Sequence, residues 1–145
     1  DTDMVGPYGY CADISRTYVE GNNFNNNQKK LYSIAVEQIN HNVRLIKPGM
    51  SFKEFTEKSW VLSEEYYGNR YSVMVHGIGL CDEWPAIRYP TDGGERSGRF
   101  ETNMTITVES YIGKVGGNEG VKLEQQYLVG KNNLELMSHH PLEDI

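Results

Sequence analysis

From residue 28 to residue 46 the apolar residues Leu31, Ile34, Ala35, Ile39, Val43 and Ile46 recur at steps of three and four, which marks one face of a helix. Pro48-Gly49 ends it. Ser51 with Glu54 has the form of a capping box, so a second helix is predicted from there to about Tyr67, with Phe52, Phe55, Val61 and Leu62 as its apolar residues and Gly68 as its stop. The period then changes to two. Residues 104–109 and 121–129 alternate and predict strands, and residues 71–75 predict a strand leading into His76-Gly77-Ile78-Gly79-Leu80. Residues 8–19, β-branched and aromatic with Gly6-Pro7 and Gly9 at their start, predict a bent hairpin crossing a sheet. Residues 22–27 form a polar connector, and residues 84–99 a loop rich in Pro and Gly without clear period. Hairpin, helix, helix, strand, loop, strand, strand is an α+β order rather than a repeating βαβ one.

Composition narrows the class. The 145 residues, 38% hydrophobic and 23% charged, suit one globular domain and exclude disorder and collagen. A formal charge of −6 argues against nucleic acid or an anionic membrane as the main partner. No run approaches the ~20 apolar residues of a membrane span. The chain opens at Asp1, already in strand-like sequence, and reads as a piece of a longer protein. Cys11 and Cys81 lack CxxC spacing and are expected to be small core residues in a reduced, cytoplasmic setting.

Candidate chemistry lies where charge interrupts apolar strand sequence. Asp3, Asp13, His76, Glu109 and Glu124 each stand in or at the end of such a segment. Any one alone could face solvent or pair with a nearby Lys or Arg. Two aspartates in one hairpin, a histidine on a later strand and two glutamates on the last strands converge only if the sheet folds about a common centre, which is the arrangement of a two-metal site. Buried carboxylates need a counter-charge, and metal is the usual one.

These residues resemble a known superfamily. Asp13-Ile14-Ser15-Arg16-Thr17 is similar to the Asp-Ile-Thr-Arg-Thr strand of creatinase, prolidase and methionine aminopeptidase, and the His76 segment to their histidine-ligand motif. Thr107-Val108-Glu109-Ser110-Tyr111-Ile112 and Gly120-Val121-Lys122-Leu123-Glu124 resemble their two glutamate strands. The resemblance implies a pita-bread fold, with residues 1–145 as the C-terminal part of the catalytic domain and a homodimer as the assembly. It also implies two divalent ions held by Asp1, Asp3, Asp13, His76, Glu109 and Glu124, with Asp13 and Glu124 bridging.

Departures from the peptidases shift the expected reaction. Asp1 and Asp3 stand where peptidases keep a lone aspartate, Asp82 where a second histidine is expected, Ser110-Tyr111 for Pro-Gly, and Lys122 for an arginine. Asp1 through Arg16, the run from His76 to Glu83, and Val108-Glu109-Ser110-Tyr111-Ile112-Gly113 resemble the pita-bread dimethylsulfoniopropionate lyases. That resemblance implies a small-molecule substrate cleaved to dimethyl sulfide and acrylate. Such a β-elimination needs a base for the proton α to the carboxylate, and Asp82 is assigned that role with Glu83 as its nearest rival. A desolvated or like-charged setting would give Asp82 the raised pKa a base requires. Tyr71 is the aromatic expected against the sulfonium. Five carboxylates and one histidine make a hard donor set, which suits iron(II) first by analogy with the family, then manganese, with zinc, nickel or copper as alternatives. A metal-dependent Xaa-Pro aminopeptidase or prolidase is the alternative activity, and a degenerate binding module the non-enzymatic one.

Overall fold

The computed structural model describes residues 1–94 and 96–142. The predicted first helix is present as α1, Asn26–Leu45, entered through an Asn25–Gln28 capping box. Its buried residues are Leu31, Tyr32, Ala35, Gln38, Ile39 and Asn42, so the apolar stripe also carries two polar side chains into the core. The predicted second helix is two. α2, Phe52–Lys58, starts on Ser51, whose hydroxyl accepts from the Glu54 amide, and α3, Glu64–Tyr67, stops at Gly68. Between them the Trp60 amide donates to Asn42 Oδ1 of α1, and Val61, expected on the apolar face, is 89% exposed.

Among the described residues the strands are β1 (Met4–Val5), β2 (Cys11–Ala12), β3 (Val73–Gly77), β4 (Ala86–Arg88), β5 (Thr105–Gly113), β6 (Gly120–Val129) and β7 (Leu134–Leu136). β1 and β2 form a two-stranded hairpin, and the other five form an antiparallel sheet in the order β4-β3-β5-β6-β7. The hairpin is thus Met4 to Ala12, earlier than predicted, and it does not cross the large sheet. The chain just after the hairpin joins that sheet through an antiparallel bridge between Ser15 and Glu124. β4 lies inside the expected loop.

The long pair β5–β6 decides where everything sits, because alternate residues of a strand face opposite sides. Ile106, Val108, Ile112, Val121, Leu123, Tyr127 and Val129 join Leu31, Tyr32, Ala35 and Ile39 of α1 in one core. Thr107, Glu109, Lys122 and Glu124 therefore point to the other face. Cys11 is half-buried and Cys81 exposed, so neither is the core residue expected.

Candidate metal centre

The hairpin register continues beyond its paired strands and delivers three aspartates. Met4 faces Ala12 and Val5 faces Cys11. One step outward Asp3 meets Asp13; further out the Thr2 hydroxyl bonds both polar groups of the Ile14 backbone at 3.1 Å, and Ser15 Oγ donates to Asp1 Oδ1 at 2.7 Å. Asp1, Asp3, Asp13 and Ser15 consequently share one face. Asp3 has a φ of 28°, in the left-handed region that Asp tolerates better than most residues.

The large sheet supplies the rest. Glu109 and Glu124 are directly paired on β5 and β6, and His76 on β3 is paired with Thr107. The edge of β6 at Lys122–Glu124 receives residues 15–17: the Glu124 amide donates to the Ser15 carbonyl at 3.1 Å and Thr17 Oγ1 to the Lys122 carbonyl at 2.8 Å. Arg16 reinforces this join, donating to the carbonyls of Ser15, Glu124, Pro141 and His140. His76 is positioned by Gly77, whose backbone carbonyl accepts from Nδ1 at 3.0 Å and so leaves Nε2 free to act as a ligand. A Cβ at position 77 would land on the Trp84 carbonyl, because the 78–85 loop returns against this strand.

The result is a buried acidic cluster. His76 Nε2 lies 3.1 Å from Glu124 Oε1, 3.8 Å from Glu109 Oε1 and 3.8 Å from Asp13 Oδ2. Asp13, His76 and Glu124 can offer ligand atoms within 4.8 Å of one another, as can Asp1, Asp3 and Asp13, so Asp13 belongs to both groups. Burial first, and then the charge of Glu124, pushes the carboxyls of Asp13 and Glu109 well above the ordinary range. Glu124 goes the other way: burial opposes its ionisation, but the hydrogen bond from His76 and the charge of Lys122 prevail. Burial likewise opposes the charged form of His76, but its bonds to Glu124 and the Gly77 carbonyl raise it to about 9.

Asp13 Oδ1 and Glu109 Oε1 are buried without a hydrogen-bond partner, and Glu109 Oε2 is met by the Lys122 ammonium alone, at 3.2 Å. Charged oxygens in that position cost several kcal/mol unless a cation meets them. A divalent ion fits this donor set, which offers carboxylate oxygens and one imidazole nitrogen around a common point.

A cavity of about 310 Å³ opens on the same face, lined by Asp1, Asp3, Asp13, His76 and Glu109 and walled by Tyr71 and Glu83. Tyr71, 38% exposed, holds its hydroxyl 3.4 Å from Glu83 Oε1. Asp82 is exposed and outside the cavity lining, where it had been expected to be desolvated; its neighbour Glu83, in a left-handed conformation at φ 55°, takes the wall instead. His76 is the only imidazole among the described lining residues. His139 and His140 are exposed. His41 donates from Nε2 to the Lys58 carbonyl at 3.1 Å and packs edgewise on Trp60.

Ser15, Lys122 and Thr107 were not assigned site roles from sequence. Each stands two residues from a ligand candidate on the same strand face, so strict alternation around Asp13, Glu124 and Glu109 is the signal that would have found them.

Residues 2–131 match the family model of metallopeptidase family M24. The chain belongs to that family. Family M24 enzymes depend on divalent metal ions, in keeping with the donors assembled here. The chain is 37% identical over 147 aligned positions to dimethylsulfoniopropionate lyase DddP of Roseovarius nubinhibens, covering 99% of this chain and 33% of that protein. It is 36% identical over 128 positions to an Xaa-Pro dipeptidase of Pyrococcus horikoshii, covering 85% of this chain and 34% of the other. Among solved structures, the prolidase of Pyrococcus horikoshii superposes with a TM-score of 0.75 at 28% identity, covering 94% of this chain and 38% of that one. The X-Pro aminopeptidase of Thermotoga maritima gives 0.74 at 26%, covering 92% and 37%. The expected pita-bread fold thus stands for this M24 chain, which spans about a third of the length of the curated relatives it matches.

Proposed function

We propose that the chain carries the metal centre of a lyase that cleaves dimethylsulfoniopropionate to dimethyl sulfide and acrylate, within the C-terminal part of a pita-bread catalytic domain. The observation that carries the reading is the make-up of the cavity: an extra carboxylate, Asp1, drawn in by Ser15, and among the described lining residues no second imidazole beside His76. Peptide hydrolysis calls for a proton donor to the leaving amine. Elimination does not.

Asp1, Asp3, Asp13, His76, Glu109 and Glu124 would hold two divalent ions, iron first, which when bound supply Lewis-acid stabilisation of charge on a substrate carboxylate. The chain's own groups do the rest. A carboxylate of the 78–85 loop takes the proton α to the substrate carboxylate; the electrons of that C–H bond form the new C=C bond, and the C–S pair leaves with dimethyl sulfide. The resemblance favours Asp82 as this base, and the cavity wall favours Glu83. Tyr71 turns an aromatic face and a hydroxyl to the same space, suited to a sulfonium cation.

The test uses the full-length protein. Dimethyl sulfide release, measured in the headspace, is expected from the sulfonium substrate and proline release from Xaa-Pro dipeptides is not; the reverse result makes the protein a prolidase. Asp82→Ala is expected to lower elimination at least a hundredfold with metal content unchanged. If Glu83→Ala does so and Asp82→Ala does not, the base is Glu83.

A further inference from the structure

The oxygens of the acidic cluster divide between two cations. On one side stands His76, facing Glu124 Oε1, Glu109 Oε1 and Asp13 Oδ2. On the other stands the ammonium of Lys122, 2.9 Å from Asp1 Oδ2, 3.2 Å from Glu109 Oε2 and 3.4 Å from Glu124 Oε2. Each glutamate turns one oxygen to each side. The split follows from the strands: Lys122 stands two residues before Glu124 on the same face of β6, and Glu109 is the direct cross-strand partner of Glu124.

We infer that Lys122 is a tethered cation that competes for the outer carboxylate oxygens and so makes the affinities of the two metal positions unequal. The inference rests on the two-metal reading above. An outer divalent ion, for which Asp1, Asp3 and Asp13 offer ligand atoms, would meet Asp1 and Glu124 Oε2 already engaged by the ammonium, whereas the cation on the other side, His76, becomes a ligand itself once it gives up its proton. Asp13 Oδ1, buried and unpartnered, remains available to either ion. The side chain is suited to yielding. Lysine is a compact point charge on a flexible stem, unlike the planar fork of an arginine, and here its head lies 5.0 Å from the centre of the Tyr71 ring, at the edge of the cavity. It can withdraw along that ring into the open space while remaining close to the acids.

Calorimetric titration of the metal-free full-length protein with Mn(II) tests this. The unchanged protein is expected to take up two ions with dissociation constants at least tenfold apart. Lys122→Met is expected to tighten the weaker step at least tenfold and the stronger by less than threefold. Equal tightening of both steps, or no change, overturns the inference while leaving the metal reading intact. A protein that takes up no Mn(II) overturns both. A second measurement needs no variant: amine acetylation of the unchanged protein, read at Lys122 by mass spectrometry. The rate at Lys122 should rise at least threefold on addition of the second equivalent of Mn(II), as the ammonium gives up its carboxylates. A rate indifferent to Mn(II), or lowered by it, overturns the inference independently of how the variant folds.

Discussion

At the scale of single residues, the centre is built from groups that would be costly apart. Glu109 and Glu124 are almost wholly buried, and the cations that stand against them among the described residues are Lys122 and His76, with the Ser15 hydroxyl donating to Glu124 as well. Glu124 touches both cations through different oxygens, so it is the residue whose loss should cost most in metal binding. Glu124→Gln, which keeps the shape and removes the charge, is expected to reduce bound metal in the purified full-length protein from two ions to one or none, measured by elemental analysis with a far-ultraviolet check that the fold persists. The acids and the histidine were legible because charge inside apolar strand sequence is rare enough to stand out. The wall of the cavity was less so. Asp82 and Glu83 are adjacent carboxylates, and which of them faces inward depends on the left-handed backbone at Glu83, a property of the loop's path that no spacing reveals.

Elements show the same division. α1 was readable from its three-and-four spacing because one face packs on β5 and β6 along its length. The break between α2 and α3 was not, since it depends on Asn42, eighteen positions away in sequence, taking the Trp60 amide. β4 and β7 span three residues each, too few to display a period, and owe their extended form to the strands beside them. The close return of the 78–85 loop against β3 makes a sharper claim possible. Gly77 has no room for a side chain, and the obstacle is backbone, which cannot rotate away. Gly77→Ala is expected to destabilise the protein by about 1–3 kcal/mol, as overpacking of a tight interior does. The change would appear as a lower urea midpoint with an unchanged slope.

For the molecule as a whole, the acid cluster couples folding to pH. In the metal-free protein His76 has its pKa raised from 6.5 to about 9, so its stabilising contribution is complete below 6.5 and fades as pH climbs to about 9. The raised carboxyls of Asp13 and Glu109 act in the same direction, since their ionised forms are disfavoured by folding and ionisation on raising the pH therefore costs stability. Glu124, held low, contributes above 4.5 and loses that contribution only in acid. The melting temperature of chelator-treated protein is thus expected to fall between pH 6.5 and 9. Protein saturated with Mn(II) should lack that decline, because the ion takes the place of the protons. Scanning calorimetry of both forms across this range decides it, and a flat profile for the metal-free protein would contradict the assigned environments.

The separation of helix side and acid side along β5 and β6 also governs how the chain can change in length. Adding or removing one residue within 107–109 or 122–124 would turn every following side chain over, carrying a carboxylate toward Ala35 and Ile39 and a leucine or valine toward the acid cluster. Two residues would restore the facing but slide Glu109 past Glu124. The turn at residues 114–119, by contrast, lies outside the paired register of the two strands. Length variation among proteins sharing this centre should therefore collect in that turn and be missing from the strands on either side of it.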